Sequence, residues 1–317
     1  MNCDIADIAD FIEDNDGFAV YFHKNPDGDA VGSAYALVLA LKAMKKEACA
    51  VCADEVPEGY RFMTDKVGSV PFRARHGIAV DTSAPYRLGE YENVKMAVVI
   101  DHHESNSFDA KYKYVLPESS SCSEIVYSLI REMGVPISSL MADLLYTGII
   151  TDTARFCSRS VNRDTFRAAY ELSALGADTV SLGRRFTYEK DSKRLAVEKR
   201  LLEHMSITHG GLVAVTYLSH GDFEELSVTP DDTEGINEVI DRIKGVGIGV
   251  LVRERIEGKC RISVRTSAKY NADRFCALFG GGGHRYSGGC QTDGSAEEIA
   301  ERLSEAAGEF IDKQDSL

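Results

Sequence analysis

Four short acid- or histidine-bearing segments stand at the C-terminal ends of apolar runs in the first half of this 317-residue chain. His23-Lys24-Asn25-Pro26-Asp27-Gly28-Asp29 follows the run Phe18 to Phe22, and Pro26 and Gly28 bend the chain so that His23, Asp27 and Asp29 can converge. Asp81-Thr82-Ser83 follows Gly77 to Val80, and Asp101-His102-His103 follows Val98-Val99-Ile100. Thr151-Asp152-Thr153 ends the apolar stretch Leu144 to Ile150. Carboxylates and imidazoles are the groups that hold divalent cations and carry protons. Each segment also has an ordinary reading. D-G-D is turn chemistry, Asp81 and Asp152 can cap a helix or turn, and neighbouring histidines can be solvated loop residues. Their shared placement argues for function, because ligand sites in open parallel sheets gather beyond the carboxyl ends of strands.

The elements that would position them alternate. Phe18 to Phe22, Cys49 to Ala53, Gly77 to Val80 and Val94 to Ile100 read as strands. Ala30 to Met44 reads as a helix, with apolar residues at Val31, Ala34, Leu37, Leu41 and Met44. Ser121 and Glu124 form a capping box that opens a helix ending near Gly134, and Ser138 to Thr151 reads as another. Strands alternating with helices predict an α/β fold, a doubly wound parallel sheet covered on both faces. After about Gly183 the pattern changes. A charged helix is expected over 187–205, then strands at Leu212 to Leu218, Ile248 to Ile256 and Lys259 to Thr266. Helices are expected at Thr233 to Ile243, from Asn271 and from Ser295, with a Gly-rich turn between the last two. The expected organisation is a domain over 1–186, a linker helix over 187–205, and a smaller α/β domain with a mixed sheet over 206–317.

In that second part Gly280-Gly281-Gly282-Gly283-His284 stands out. Four glycines can be a flexible turn, but the helix before them and His284 after them suggest a backbone that approaches a ligand closely. No strand leads into a G-x-G-x-x-G, and Gly245-x-Gly247-x-Gly249 precedes a strand, so neither run is a dinucleotide fingerprint. No P-loop, G-x-S-x-G or H-E-x-x-H is present.

Composition narrows the classes. The hydrophobic fraction of 44% suffices for packed cores and rules out a largely disordered chain. The net charge of −14 argues against long duplex DNA as a partner, since binding it needs a broad basic face. No apolar stretch approaches the length of a membrane span, and the acidic N-terminal region shows no secretory signal. Eight scattered cysteines include one solitary C-x-x-C at Cys49 and Cys52, which reads as two small strand residues. A reduced, cytoplasmic setting is expected.

The ordered segments H-K-N-P-D-G-D-A-V-G-S, V-D-T-S, V-I-D-H-H-E and G-I-I-T-D-T resemble the four motifs of the DHH phosphoesterases. F-G-G-G-G-H resembles the signature of their appended DHHA1 domain. The resemblance covers nearly the whole length, and its two-domain size is similar to the stand-alone oligoribonuclease and pAp-phosphatase (NrnA-type) branch. The chain departs from that branch at Arg285-Tyr286-Ser287-Gly288, where a basic residue and small Ala-rich positions are usual, and at Thr266, where serine is frequent.

The resemblance implies a cleft between the domains and two divalent ions. His23, Asp27 and Asp81 would hold one ion, Asp29, Asp81, His102 and Asp152 the other, with Asp81 bridging. Cations about 3.5–4 Å apart clamp an in-line displacement and lower the pKa of water from about 15.7 toward about 7. Oxygen ligands mixed with imidazole suit Mn²⁺ best, with Co²⁺, Fe²⁺ or Mg²⁺ as substitutes. His103 would contact the scissile phosphate and, with Asp81, serve catalysis. Arg265, Thr266, Gly282, Gly283 and His284 would bind the nucleotide, and Arg87 is a weaker candidate on the first domain's side. The expected activity is hydrolysis of short single-stranded RNA or DNA oligonucleotides, or of the mononucleotide bisphosphate pAp. The alternatives are a pApA phosphodiesterase and, in another class, a catalytically silent nucleotide sensor. A homodimer is compatible with this reading, and a membrane is not expected as a partner.

Overall fold

Strands covered on both faces are apolar without alternation, and the central strands of the first sheet are of this kind. The computed structural model describes residues 3–68, 72–233 and 235–315, with the backbone alone at 187 and 231. It divides into two units, Met1–Glu189 and Lys190–Leu317. The first carries helix Ile5–Asp14 (α1), strand Phe18–Tyr21 (β1), helix Gly28–Ala43 (α2), strand Ala48–Val51 (β2) and helix Glu58–Thr64 (α3). Strands His76–Val80 (β3), Met96–Asp101 (β4) and Tyr112–Val115 (β5) follow, then helices Cys122–Glu132 (α4), Ser139–Asp152 (α5), Arg163–Ala174 (α6) and Thr179–Gly183 (α7). The strand order is β2-β1-β3-β4-β5, and every neighbouring pair is parallel. The chain runs outward in opposite directions from β1 and β3, which places the switch point of the topology between these two strands.

Helices α2 and α5 are apolar on nearly every side, as buried helices must be. They approach closely because Gly32 and Gly28 leave no side chain between them. A Cβ at Gly32 would overlap the Leu144 carbonyl, and one at Gly28 would overlap the Thr151 hydroxyl. Val20, Leu37, Leu41, Ile78, Ile100 and Leu144 meet in the resulting core.

The second unit contains helix Ser192–Glu203 (α8), strands Ser206–Thr208 (β6) and Val213–Leu218 (β7), and helices His220–Glu225 (α9) and Glu238–Asp241 (α10). It continues with strands Ile248–Ile256 (β8) and Lys259–Thr266 (β9), helix Ala272–Ala277 (α11), strands Gly282–Gly283 (β10) and Ser287–Asp293 (β11), and helix Ala296–Asp315 (α12). Its sheet has the order β10-β11-β9-β8-β7-β6, with only β7 and β8 parallel, so it is mixed.

Several expected elements differ. The helix expected over 187–205 spans only Ser192–Glu203, capped by Asp191, and buries Val197 and Leu201 in the second unit's core with Leu218 and Phe223. The helix expected over 233–243 is reduced to α10 because Gly235 adopts φ 67° and interrupts it. Strands β5 and β11 and helices α3 and α6 were not expected; β5 and β11 are polar enough to hide their pairing from an apolar-run reading. No helix among the described residues is long and apolar enough to cross a membrane.

Candidate metal centre

Two adjacent strands end at the switch point, and each delivers a ligand-bearing segment there. Past β1, Asp27 is the N-cap of α2: its Oδ1 accepts from the amides of Asp29 and Ala30, each at 3.1 Å. Its Oδ2 lies 3.8 Å from His23 Nε2, so capping and ligation use different oxygens of one carboxylate. Past β3, Asp81 sits in the left-handed region with φ 48°, a strained conformation for a non-glycine residue that tends to mark functional positions. Its amide donates to the Ile100 carbonyl at 3.1 Å, which ties the end of β3 to β4.

Asp29 is buried at the N-terminus of α4. Its Oδ2 accepts from the Cys122 amide at 2.6 Å and its Oδ1 from the Ser123 amide at 2.8 Å. Unpaired amides and the helix dipole favour a carboxylate at that position. Asp152 closes α5, and its Oδ2 is 3.7 Å from His102 Nε2.

Asp81 occupies the centre. Its Oδ2 faces His23 Nε2 at 3.6 Å, and its Oδ1 faces His102 Nε2 at 3.5 Å. His102 Nε2 also lies 4.0 Å from Asp29 Oδ2. His23 Nδ1 is 2.8 Å from the Lys24 carbonyl, which can only accept, so Nδ1 carries the proton and Nε2 presents a lone pair to the carboxylates. Lone pair facing lone pair requires a proton or a cation between them. Ligand atoms about 2.0–2.2 Å from one cation lie about 3–4 Å from one another, which is the spacing seen here. Asp81 Oδ1 is buried with no hydrogen-bond partner among the described residues, as an atom reserved for a cation would be. The donor set therefore fits divalent cations. His23, Asp27 and Asp81 form one cluster, and Asp29, His102 and Asp152 another.

The electrostatics of the ion-free cluster agree. Burial, joined by the Asp81 charge, pushes the Asp29 carboxyl up to about 7. Burial and Asp29 likewise raise Asp152 well above the carboxylate range. For Asp81, burial acts upward, but the His102 and His23 imidazoles more than offset it and hold the carboxyl low. His102 is the converse: burial opposes its charge, while Asp81, Asp29 and Asp152 raise its pKa to about 10.

His103 adjoins these clusters, forming a third group with Asp81, Asp101 and His102, and its Nδ1 lies 3.8 Å from Asp81 Oδ1. Its Nδ1 donates to Asp101 Oδ1 at 2.7 Å, which fixes the tautomer and turns Nε2 outward. Asp101 is fully buried and is held by the His102 amide at 2.9 Å and by Asn106 Nδ2 at 2.7 Å. Asp101, Asn106 and the α4 amides were not anticipated as functional. The carboxylate in D-H-H was visible, but its partner is decided by folding. Arg87 is half-buried, and its carbonyl accepts from the Lys24 amide at 2.8 Å, so it lies beside the His23 segment.

In the second unit, Arg265 is the penultimate residue of β9 and pairs with Ser287, whose carbonyl accepts from the His284 amide at 2.7 Å. Arg265 and His284 thus share one end of the sheet. His284 is exposed in the β10–β11 turn, and Arg265 is partly buried. Thr266 differs from its expected role: its hydroxyl donates inward to the Arg285 carbonyl at 2.9 Å. The glycine run also has a structural cause. A Cβ on Gly283 would meet Gly288 Cα at 2.5 Å, and one on Gly281 would overlap the Gly289 carbonyl, so β10 and β11 pack backbone to backbone. Gly282 pairs with Gly289 in that hairpin.

The chain matches the DHH family, N-terminal domain, over residues 17–149, and the DHHA1 domain over residues 210–313. It is 29% identical over 296 residues to the bifunctional oligoribonuclease and PAP phosphatase of Thermus thermophilus, covering 91% of this chain and 88% of the relative. It is 30% identical over 322 residues to an uncharacterized Mycoplasma pneumoniae protein, covering 94% and 93% of the two. Among solved structures, an exopolyphosphatase-related protein from Bacteroides fragilis superposes with a TM-score of 0.88 at 25% identity, covering 98% and 97%.

Proposed function

Since the chain belongs to the DHH phosphoesterases, with a DHHA1 domain following the DHH domain, we propose that it hydrolyses short single-stranded oligoribonucleotides and the 3′-phosphate of pAp. The observation that carries this reading is Asp81, with its two oxygens turned to different imidazoles. His23, Asp27 and Asp81 would hold one cation, and Asp29, Asp81, His102 and Asp152 a second. Divalent cations, Mn²⁺ best among them for this donor set, supply Lewis acidity and a water acidic enough to ionise near neutral pH. Around them the side chains have separate tasks. Asp101 orients His103 through Nδ1 so that Nε2 would face the scissile phosphate, donating to it only when the ring carries both protons. Arg265 offers a planar fork of donors suited to a terminal phosphate, and His284 offers a ring for a base. The names of the relatives support the substrate class, the Thermus thermophilus protein acting on oligoribonucleotides and PAP. The net charge of −14 fits short rather than long nucleic acid.

The test is a substrate panel with Mn²⁺, comparing a dinucleotide, a 5-mer, pAp, pApA and pyrophosphate. Hydrolysis of the dinucleotide and 5-mer, abolished by EDTA and restored by Mn²⁺, is expected. Cleavage of pyrophosphate alone, or undiminished turnover in excess EDTA, overturns the reading.

A further inference from the structure

The chain is strongly acidic, yet the stretch from Arg155 to Tyr170 carries Arg155, Arg159, Arg163 and Arg167 against a single carboxylate, Asp164. It begins three residues past Asp152. Ala154, Arg155 and Phe156 are all left-handed, with φ of 45°, 66° and 60°, a strained turn that tends to persist where a site requires it. Thr153 holds this turn, accepting from the amides of Cys157 at 2.9 Å and Ser158 at 2.8 Å. The turn lays Phe156 on Phe166 of α6, with ring centroids 5.4 Å apart and planes 19° from parallel.

Helix α6 buries Thr165, Ala168 and Leu172 and turns a different face to solvent. That face carries Phe166, 56% exposed, and Tyr170, 74% exposed, one helical turn apart. Arg163 and Arg167 flank them, 93% and 68% exposed, sharing Asp164 at 3.8 Å and 3.4 Å. Such exposed pairs contribute little and yield readily to a phosphate. Past Tyr170 the surface opens into a groove of about 410 Å³ walled by Tyr127, Val135 and Leu175, with Arg131 paired to Glu171. Aromatic faces interleaved with arginines are what a single strand needs: stacking platforms for bases and cations for phosphates.

The geometry points to α6 and its preceding turn as a second contact surface for oligonucleotide substrate, taking the nucleotides remote from the scissile phosphate. This rests on the reading of the metal centre as an oligonucleotide hydrolase. The proposed occupant is single-stranded nucleic acid rather than protein, because the local charge opposes that of the rest of the chain and matches a polyanion.

The experiment compares kcat/KM for a 5-mer with that for a dinucleotide, with Mn²⁺, in wild type, in the double variant Phe166→Ala/Tyr170→Ala, and in Arg163→Glu/Arg167→Glu. Wild type should favour the 5-mer, and each double variant should lower the 5-mer to dinucleotide ratio about fivefold or more, as loss of a stacked base does. The charge variant alters only exposed side chains and serves if the aromatic one does not fold. Unchanged ratios in folded variants overturn the surface. So does a wild-type ratio near one, or a changed oligomeric state by light scattering with an unchanged ratio, which would make this face a protein contact. Failure of wild type to cleave either oligonucleotide would overturn instead the reading on which the surface rests.

Discussion

His103 and Asp101 form a directed pair: the imidazole Nδ1 donates to a fully buried carboxylate oxygen at 2.7 Å, leaving Nε2 as the ring's outward-facing atom. Asp101 has no role in either ligand cluster as proposed, so it acts through His103. Asp101→Asn should lower kcat about 10- to 100-fold, the usual cost of losing an orienting partner. The bound metal measured by elemental analysis should stay near wild type, and loss of both ions with activity would reassign Asp101 as a ligand.

Asp81→Asn tests the bridging role with little risk to the fold. Asparagine tolerates φ near 48° well, so the backbone at the end of β3 should survive the change. The amide keeps the size but loses the charge that would hold two dications together. Metal content should fall, with activity below detection in a standard assay. A variant that retains both ions and normal turnover would remove Asp81 from the centre.

Metal should stabilise the protein, and more so at higher pH. Burial raises Asp29 to about 7 and Asp152 well above its ordinary value in the ion-free protein. A carboxyl raised in the folded state binds more protons there than when unfolded, so the ion-free protein loses stability as pH rises from the unfolded value toward the folded one. A cation must displace those protons at low pH and finds carboxylates ready at high pH. The Tm increment on adding Mn²⁺ should therefore be larger at pH 8 than at pH 5.5. An increment independent of pH would contradict the assignment of these groups as ligands.

Gly148 lies where α5 meets both α4 and Asp29. A Cβ there would overlap the Ser123 hydroxyl and come within 2.8 Å of Asp29 Oδ1. Gly148→Ala should destabilise the protein by about 1–3 kcal/mol in denaturant unfolding, the usual cost of overpacking. It should also weaken metal binding, since Asp29 has nowhere to retreat. Gly59→Ala, where a Cβ meets nothing within 4 Å, is the control.

Arg265→Ala and His284→Ala should raise KM more than they lower kcat, because their contacts would be made in ground and transition states alike. Losing one charged hydrogen bond costs about 1.5–3 kcal/mol, or about ten- to hundredfold in kcat/KM. Full efficiency on pAp and on a dinucleotide in both variants would exclude this end of the second sheet from the substrate site.

The sequence by itself determined the ligand-bearing segments, the alternation that places them at strand ends, and the order in which they occur. Those are local properties: an apolar run fixes a strand, and the residue after it falls at the sheet edge whatever else folds. It determined equally that Asp27 could serve a turn or a ligand site, without deciding which. Only the tertiary structure decided that it caps α2 through Oδ1 and places Oδ2 beside His23. Only the fold brought the α4 amides to Asp29, 93 residues distant, and gave Asp101 to His103 and Asn106. It also returned the Thr266 hydroxyl to the backbone and gave the glycine run a packing cause in β11, a strand too polar to be read from its apolar residues. The physical reason is common to all of these. Residue type and spacing state what a side chain can do, whereas the partner that uses it is set by long-range packing, which no local pattern encodes.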